Sequence, residues 1–251
     1  MNALLSVGGL EKDFGGFMAV NGVDLQIQAG TMTSIIGPNG AGKTTLINLV
    51  TGSLQPSAGR ITFLGKDITN LPIHQRVRMG MSRSFQISDI LANLSVYKNV
   101  MLPVLARHNY TVHPLASLDG YPDVHSETAD ILRSVGLWNI RHYRADELSH
   151  GDQRLLEIGM AVAPSPQLCY LDEPCAGMNP MEHKKVLGLI KHLAEERNLT
   201  FVLVEHDMDV VFSVSDWVVV MNKGEVLAEG VPDEIRGDPI VRSVYLGEDV
   251  R

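Results

Sequence analysis

Thr33-Ser34-Ile35-Ile36-Gly37-Pro38-Asn39-Gly40-Ala41-Gly42-Lys43-Thr44-Thr45-Leu46-Ile47 is the stretch from which the rest of the chain is read. Its first four residues form a short strand pattern. Residues 37–44 fit G-x-x-x-x-G-K-[ST]. Leu46, Ile47, Leu49 and Val50 then recur at helical spacing until Gly52 offers a stop. A strand that runs through a glycine loop into a helix is the setting in which this motif holds phosphate. Glycines let successive backbone N–H groups turn toward one anion, and the helix N-terminus adds a favourable dipole. Lys43 then meets the β- and γ-phosphates of a nucleoside triphosphate, and the Thr44 hydroxyl ligates Mg²⁺.

Such a loop needs an acidic partner for the metal and a group that positions water. Leu168-Cys169-Tyr170-Leu171-Asp172-Glu173 supplies both, as a buried strand with two carboxylates at its end. Neighbouring side chains on a strand point to opposite faces, so the two acids reach different parts of one site. Asp172 is expected to hold Mg²⁺, and Glu173 to polarise the attacking water. Alone, this pattern describes a strand that stops at a solvated loop; the upstream phosphate loop reverses that preference. His206 follows the strand pattern of residues 201–204 and is expected on the same sheet edge. The other eight histidines show no metal-ligand spacing.

Around these motifs, strand and helix patterns alternate. Val20, Val23, Leu25 and Ile27 have strand spacing near the start. In the last third, residues 183–196 and 208–214 read as helices, and 218–220 and 225–227 as strands. Alternation of this kind predicts an α/β fold with a largely parallel sheet. Residues 87–154 differ. They carry helical patterns over 94–105 and 127–135, and residues 107–126 between them, rich in His, Pro, Gly and Asp, are expected to be irregular.

Composition sets bounds. The chain has 251 residues, a net charge of −8, and 45% hydrophobic and 20% charged residues. That acidity argues against a nucleic-acid partner. No stretch reaches the ~20 apolar residues that cross a bilayer. The N-terminus lacks a signal-peptide pattern, so a cytoplasmic chain is expected. Two cysteines, Cys169 and Cys175, are too few for a disulfide framework and are expected to serve packing.

Leu148-Ser149-His150-Gly151-Asp152-Gln153, with Gln153 19 residues before Asp172, resembles the signature motif of ATP-binding-cassette ATPases. Ser149 is a good N-cap with Asp152 three residues on, and the following helix is expected to stop at Pro164. The resemblance spans nearly the whole chain. It implies one cassette with a RecA-like P-loop core over residues 1–86 and 155–251, an N-terminal antiparallel β subdomain, and a helical subdomain inserted at 87–154. It implies ATP and Mg²⁺ as ligands. Nucleotide contacts would come from Phe14 on adenine (Phe17 competes for that role), from Gly37, Pro38, Asn39, Gly40, Ala41, Gly42, Lys43, Thr44, Thr45 and Gln86, and from Ser149 and Gly151 of a second chain. Glu173, His206 and Lys43 would be catalytic, and Thr44, Gln86 and Asp172 would face the metal.

Within the family, five features are similar to the ATP-binding subunits of branched-chain amino acid importers: Arg83-Ser84-Phe85-Gln86, the long insert around Arg107 to Ser126, Glu173-Pro174-Cys175-Ala176-Gly177-Met178-Asn179-Pro180, Val204-Glu205-His206-Asp207-Met208 and the tail Val244-Tyr245-Leu246-Gly247. The partners this implies are a second ATPase chain, two integral-membrane permeases and, indirectly, an extracellular or periplasmic solute-binding protein. The place it implies is the cytoplasmic face of the membrane. A lipopolysaccharide-export ATPase and a soluble iron–sulfur assembly ATPase are the alternatives. Three positions depart from the family pattern: His150 stands where glycine is commonest, Asp152 where glutamine is, and Asn179 where aspartate is.

Overall fold

The computed structural model describes residues 3–83, 90–108, 110, 120–205 and 207–246. Among the described residues the strands form two sheets. The first is antiparallel, in the order β2-β1-β4-β5, from β1 (Leu5–Asp13), β2 (Met18–Ile27), β4 (Ala58–Phe63) and β5 (Lys66–Asp67). The second has the order β10-β9-β3-β8-β7-β6. Its members are β3 (Met32–Ile36), β6 (Met81–Arg83), β7 (Leu168–Asp172), β8 (Thr200–Val204), β9 (Trp217–Asn222) and β10 (Glu225–Gly230). All run parallel except β10, which pairs antiparallel with β9.

The parallel strands are covered on both faces, and their alternation shows how. Leu168 and Tyr170 of β7 and Val202 and Val204 of β8 point into a core shared with the antiparallel sheet and α1 (Lys43–Thr51). Cys169, Leu171, Phe201 and Leu203 point the other way. There they meet α5 (His150–Val162) and α6 (Pro180–Arg197). Burial on both sides is why these strands read as unbroken apolar runs. Both cysteines are buried and free, in keeping with packing.

Helix α2 (Ile73–Arg78) precedes β6, and between β6 and β7 the described residues are mainly helical, with α3 (Val96–Arg107), α4 (Pro122–Ser134) and α5. One expectation is corrected. Residues 122–126, read as irregular, open α4, because Pro122 sits at its start, Asp123 occupies its first turn and Val124 is buried. Residues 109 and 111–119 lie outside the described residues. Similarly, α6 begins at Pro180, three residues before its apolar pattern, because Asn179 caps it. Helix α7 (Met208–Val214) falls where the pattern put it, and α8 (Pro232–Gly237) and α9 (Pro239–Leu246) close the described chain. Helix α5 runs across residues 154 and 155, the expected border between the inserted segment and the core.

One side chain holds the base of α1. Arg76 of α2 is fully buried and donates to the carbonyls of Leu49 and Val50 in the last turns of that helix and to those of Thr69 and Leu71. A cation at a helix C-terminus satisfies orphan carbonyls and opposes their partial charge.

Candidate nucleotide site

The site is assembled by register. Ile35 of β3 pairs with Val204 of β8, and Val204 pairs with Asp172 of β7. The loops that leave these strands therefore emerge from one edge of the sheet, the place where open α/β sheets bind ligands. Residues 37–44, the Asp172–Glu173 pair and the loop beginning at Glu205 all start there.

The phosphate loop is fixed by close backbone contacts. Gly42 caps α1 with φ +98°, and a Cβ there would lie 2.4 Å from the Ala19 carbonyl oxygen. Gly37 has equally little room, since a Cβ would lie 2.3 Å from the carbonyl oxygen of Met221. No side chain caps α1, and its first turn carries no acid. The amides of Lys43, Thr44 and Thr45 thus belong to a helix start with no built-in anion. Lys43 Nζ donates to the carbonyls of Gly37 and Pro38, at 2.5 and 3.2 Å. Burial lowers its pKa, while the charges of Glu173 and Asp172 act in the opposite direction. Asn39, Gly40 and Thr44 are exposed, and Ala41 is buried with its amide on the Pro38 carbonyl.

At the end of β7, Asp172 accepts from Arg83 at 3.1 Å, with side-chain exposures of 14% and 13% respectively. Arg83 also donates to Asn48 Oδ1 of α1 at 2.6 Å. Glu173 turns away in the left-handed region, φ +46°, and its amide donates to the Val204 carbonyl at 2.9 Å. A glutamate held at positive φ is an unusual backbone state, sustained by surrounding structure. Glu205, at the end of β8, is 2% exposed, and its Oε1 accepts from the Cys175 amide at 3.4 Å. Burial first, then the Glu205 and Asp207 charges, push the Cys175 thiol up to about 12. Gln86 and His206, both expected at this edge, lie outside the described residues.

The signature segment folds as its sequence suggests, with one change. Ser149 caps α5 by accepting from the Asp152 amide at 3.2 Å. The Asp152 carboxylate accepts a hydrogen bond from the Ser149 hydroxyl at 2.8 Å instead of reaching back to the cap's backbone N–H. A Cβ at Gly151 would lie 3.3 Å from Glu182 Oε1, and one at Gly177 3.7 Å from His150 Cε1. The start of α5 therefore packs on the chain's own loop from β7 to α6. Asn179 Oδ1 caps α6 by accepting from Met181 and Glu182, and Glu182 returns to the Asn179 amide.

Phe14 and Phe17 flank the β1–β2 turn, with the Phe14 amide on the Phe17 carbonyl. Both rings are exposed, at 50% and 66%, and Lys12 Nζ sits 5.2 Å from the Phe14 ring centre. The hairpin leads into Ala19, whose carbonyl abuts Gly42, so it borders the phosphate loop.

Arg83, Asn48 and Glu205 were not among the expected site residues. Arginine and glutamate ordinarily lie at the surface, so their types carry no signal of burial. The available clue was position: Arg83 ends a strand, and Glu205 directly follows four apolar strand residues. The donors fit Mg²⁺, because an exposed hydroxyl and a carboxylate are hard oxygen ligands. This ion takes only one or two carboxylates besides phosphate and water. Among the described residues no group of three or more His, Cys, Asp or Glu is arranged to hold a metal by itself.

Comparison with known proteins gives concordant results. The ABC transporter family model matches residues 20–176, and a branched-chain amino acid ATP-binding cassette transporter model matches residues 225–251. The chain is 40% identical, over 98% of both chains, to the high-affinity branched-chain amino acid transport ATP-binding protein BraF of Pseudomonas aeruginosa. It is equally similar, with the same coverage, to the LivG protein of that description from Escherichia coli. Among solved structures, the ADP conformation of an ATP-binding cassette of an ABC transporter has a TM-score of 0.87 at 31% identity, covering 99% of this chain and 100% of that one. A nucleotide-free cassette has a TM-score of 0.84 at 33% identity, with 98% and 100% covered.

Proposed function

The chain belongs to the ABC transporter family, and from that membership we propose that it is the ATP-hydrolysing subunit of a membrane importer for branched-chain amino acids. The observation that carries the proposal is the meeting of the Lys43 loop with Asp172 and Glu173 at one sheet edge. Whole-length similarity to branched-chain amino acid transport subunits supports import over lipopolysaccharide export or iron–sulfur assembly. Among the described residues no helix is long and apolar enough to cross a membrane. The span itself falls to two permeases, with this chain at their cytoplasmic face.

In this mechanism the amides of residues 40–45 cradle the phosphates, and Lys43 Nζ exchanges the Gly37 and Pro38 carbonyls for β- and γ-phosphate oxygens. Thr44, Asp172 and Gln86 would hold Mg²⁺, whose chemistry is to neutralise charge on those oxygens. Glu173 accepts a proton as water attacks the γ-phosphorus. The new P–O bond forms as the bond to the β-bridging oxygen breaks, which leaves ADP and phosphate. His206 senses the γ-phosphate, and Phe14, or its neighbour Phe17, stacks on adenine. Residues 1–86 and 155–251 form the core and 87–154 the helical insertion, with α5 joining the two.

Glu173→Gln tests the chemistry. It should bind ATP as the unmodified chain does and hydrolyse it at least ~100-fold more slowly, the usual worth of a general base. A normal rate would remove Glu173 from the role. Transport is tested by deleting the chain and following uptake of labelled leucine, and by affinity purification from membranes. Integral-membrane partners are expected; a set of purely soluble partners would sink the importer assignment.

A further inference from the structure

Asp172 does not stand alone at the end of β7. Arg83 and Tyr170 are register partners across β6 and β7, so their side chains share a face, and Asp172, two residues beyond Tyr170, shares it too. That face carries α1, and Arg83 spans the gap, with one guanidinium nitrogen on Asp172 at 3.1 Å and the other on Asn48 of α1 at 2.6 Å. Both charged partners are nearly buried, at 13% and 14% exposure. A guanidinium presents its donors in a rigid planar fork, so two such contacts fix its orientation, and through it that of the carboxylate.

We propose that Arg83 is a positioning residue for the Mg²⁺ site, which locks the Asp172 carboxylate to the helix that carries Lys43 and Thr44. This rests on the assignment of Asp172 to the metal made above. The two proposed ligands come from different elements, Thr44 from α1 and Asp172 from β7. A metal held by both needs their spacing constant, and the Arg83–Asn48 contact is the side-chain bridge that sets it. Groups that orient metal ligands are typically worth about 10- to 100-fold in metal affinity.

Charge and geometry make opposite predictions, which makes the proposal testable. If Arg83 only cancels part of the Asp172 charge, its removal should strengthen metal binding. If it orients the carboxylate, removal should weaken it. The measurement is ADP affinity by titration calorimetry, with Mg²⁺ and with EDTA, for Arg83→Met, Arg83→Lys and Asp172→Asn in the full chain. In Arg83→Met the metal-free affinity should stay within about twofold and the gain from Mg²⁺ should fall about tenfold. Arg83→Lys, which keeps one contact and the charge, should recover part of that gain. An unchanged or larger Mg²⁺ gain in Arg83→Met overturns the proposal. So does equal loss with and without the metal, the mark of a purely structural residue. Asp172→Asn separates the layers: if it too leaves the Mg²⁺ gain intact, Asp172 is not the metal carboxylate and the underlying assignment fails. If it abolishes the gain while Arg83→Met does not, only the role of Arg83 fails.

Discussion

Gly42 carries two constraints at once, and each excludes a side chain. Its φ of +98° lies where L-residues are strained, and a Cβ would stand 2.4 Å from a backbone oxygen of β2 that has no rotamer to move. The backbone term alone is on the order of 1–2 kcal/mol. The overlap can be relieved only by moving the start of α1 away from β2, and with it the amides proposed to meet phosphate. Gly42→Ala should therefore lose ADP affinity by at least about tenfold, the equivalent of ~1.4 kcal/mol, and melt at a lower temperature. Calorimetry and a thermal melt check both. Gly40 makes a control, because a Cβ there meets nothing within 4 Å despite φ +80°. If Gly40→Ala and Gly42→Ala behave alike, backbone angle is the whole cause and the Ala19 contact is irrelevant.

Caps decide where α5 and α6 begin. Asn179 replaces the family's aspartate yet performs its local task, taking the amides of Met181 and Glu182 on Oδ1 while Glu182 completes the box. Asn179→Ala should then cost about 1 kcal/mol in a urea melt. Asn179→Asp keeps the acceptor and places an anion at a helix N-terminus, so it should be neutral or gain up to ~1 kcal/mol. Aspartate as costly as alanine would show that capping is not what the residue does. The same caps mark what was legible in the sequence. Strand–loop–helix order, Ser149 as cap and Asp172 at a strand end follow from local chemistry, which neighbouring residues express. The start of α4 was missed because Pro122 to His125 offer one apolar residue among polar ones, and the pattern becomes helical only further on. Buried Arg76 and nearly buried Arg83 were missed for a different reason. Their burial depends on carbonyls and a carboxylate brought near by tertiary folding, and no local pattern encodes that.

At the scale of the molecule, α1 and α5 lie against opposite faces of the parallel sheet, since the core on one side contains α1 and the core on the other contains α5 together with α3, α4 and α6. The start of α5 is also tied to its own chain's loop into α6, through His150 beside Gly177 and Gly151 beside Glu182. A nucleotide on the start of α1 thus does not require the start of α5 in the same chain. Both Ser149 and His150 remain exposed, which leaves that helix start available to a second molecule. If Ser149 and Gly151 meet the phosphates of a partner's ATP, binding and dimerisation are separable by mutation. Glu173→Gln, which should hold ATP unhydrolysed, is expected to run as a dimer on a sizing column with ATP and Mg²⁺ and as a monomer without them. Adding Ser149→Arg in the same chain leaves Lys43 and its loop untouched, so ATP affinity should persist. The bulky cation at the cap should nevertheless keep the protein monomeric at every ATP concentration tested. The Ser149 hydroxyl is also engaged with Asp152, so Ser149→Ala serves as the milder control, losing the cap while leaving room for the phosphates. A double variant that still dimerises on ATP would place the signature helix away from the shared nucleotide. One that neither dimerises nor binds ATP would instead place Ser149 in its own chain's site.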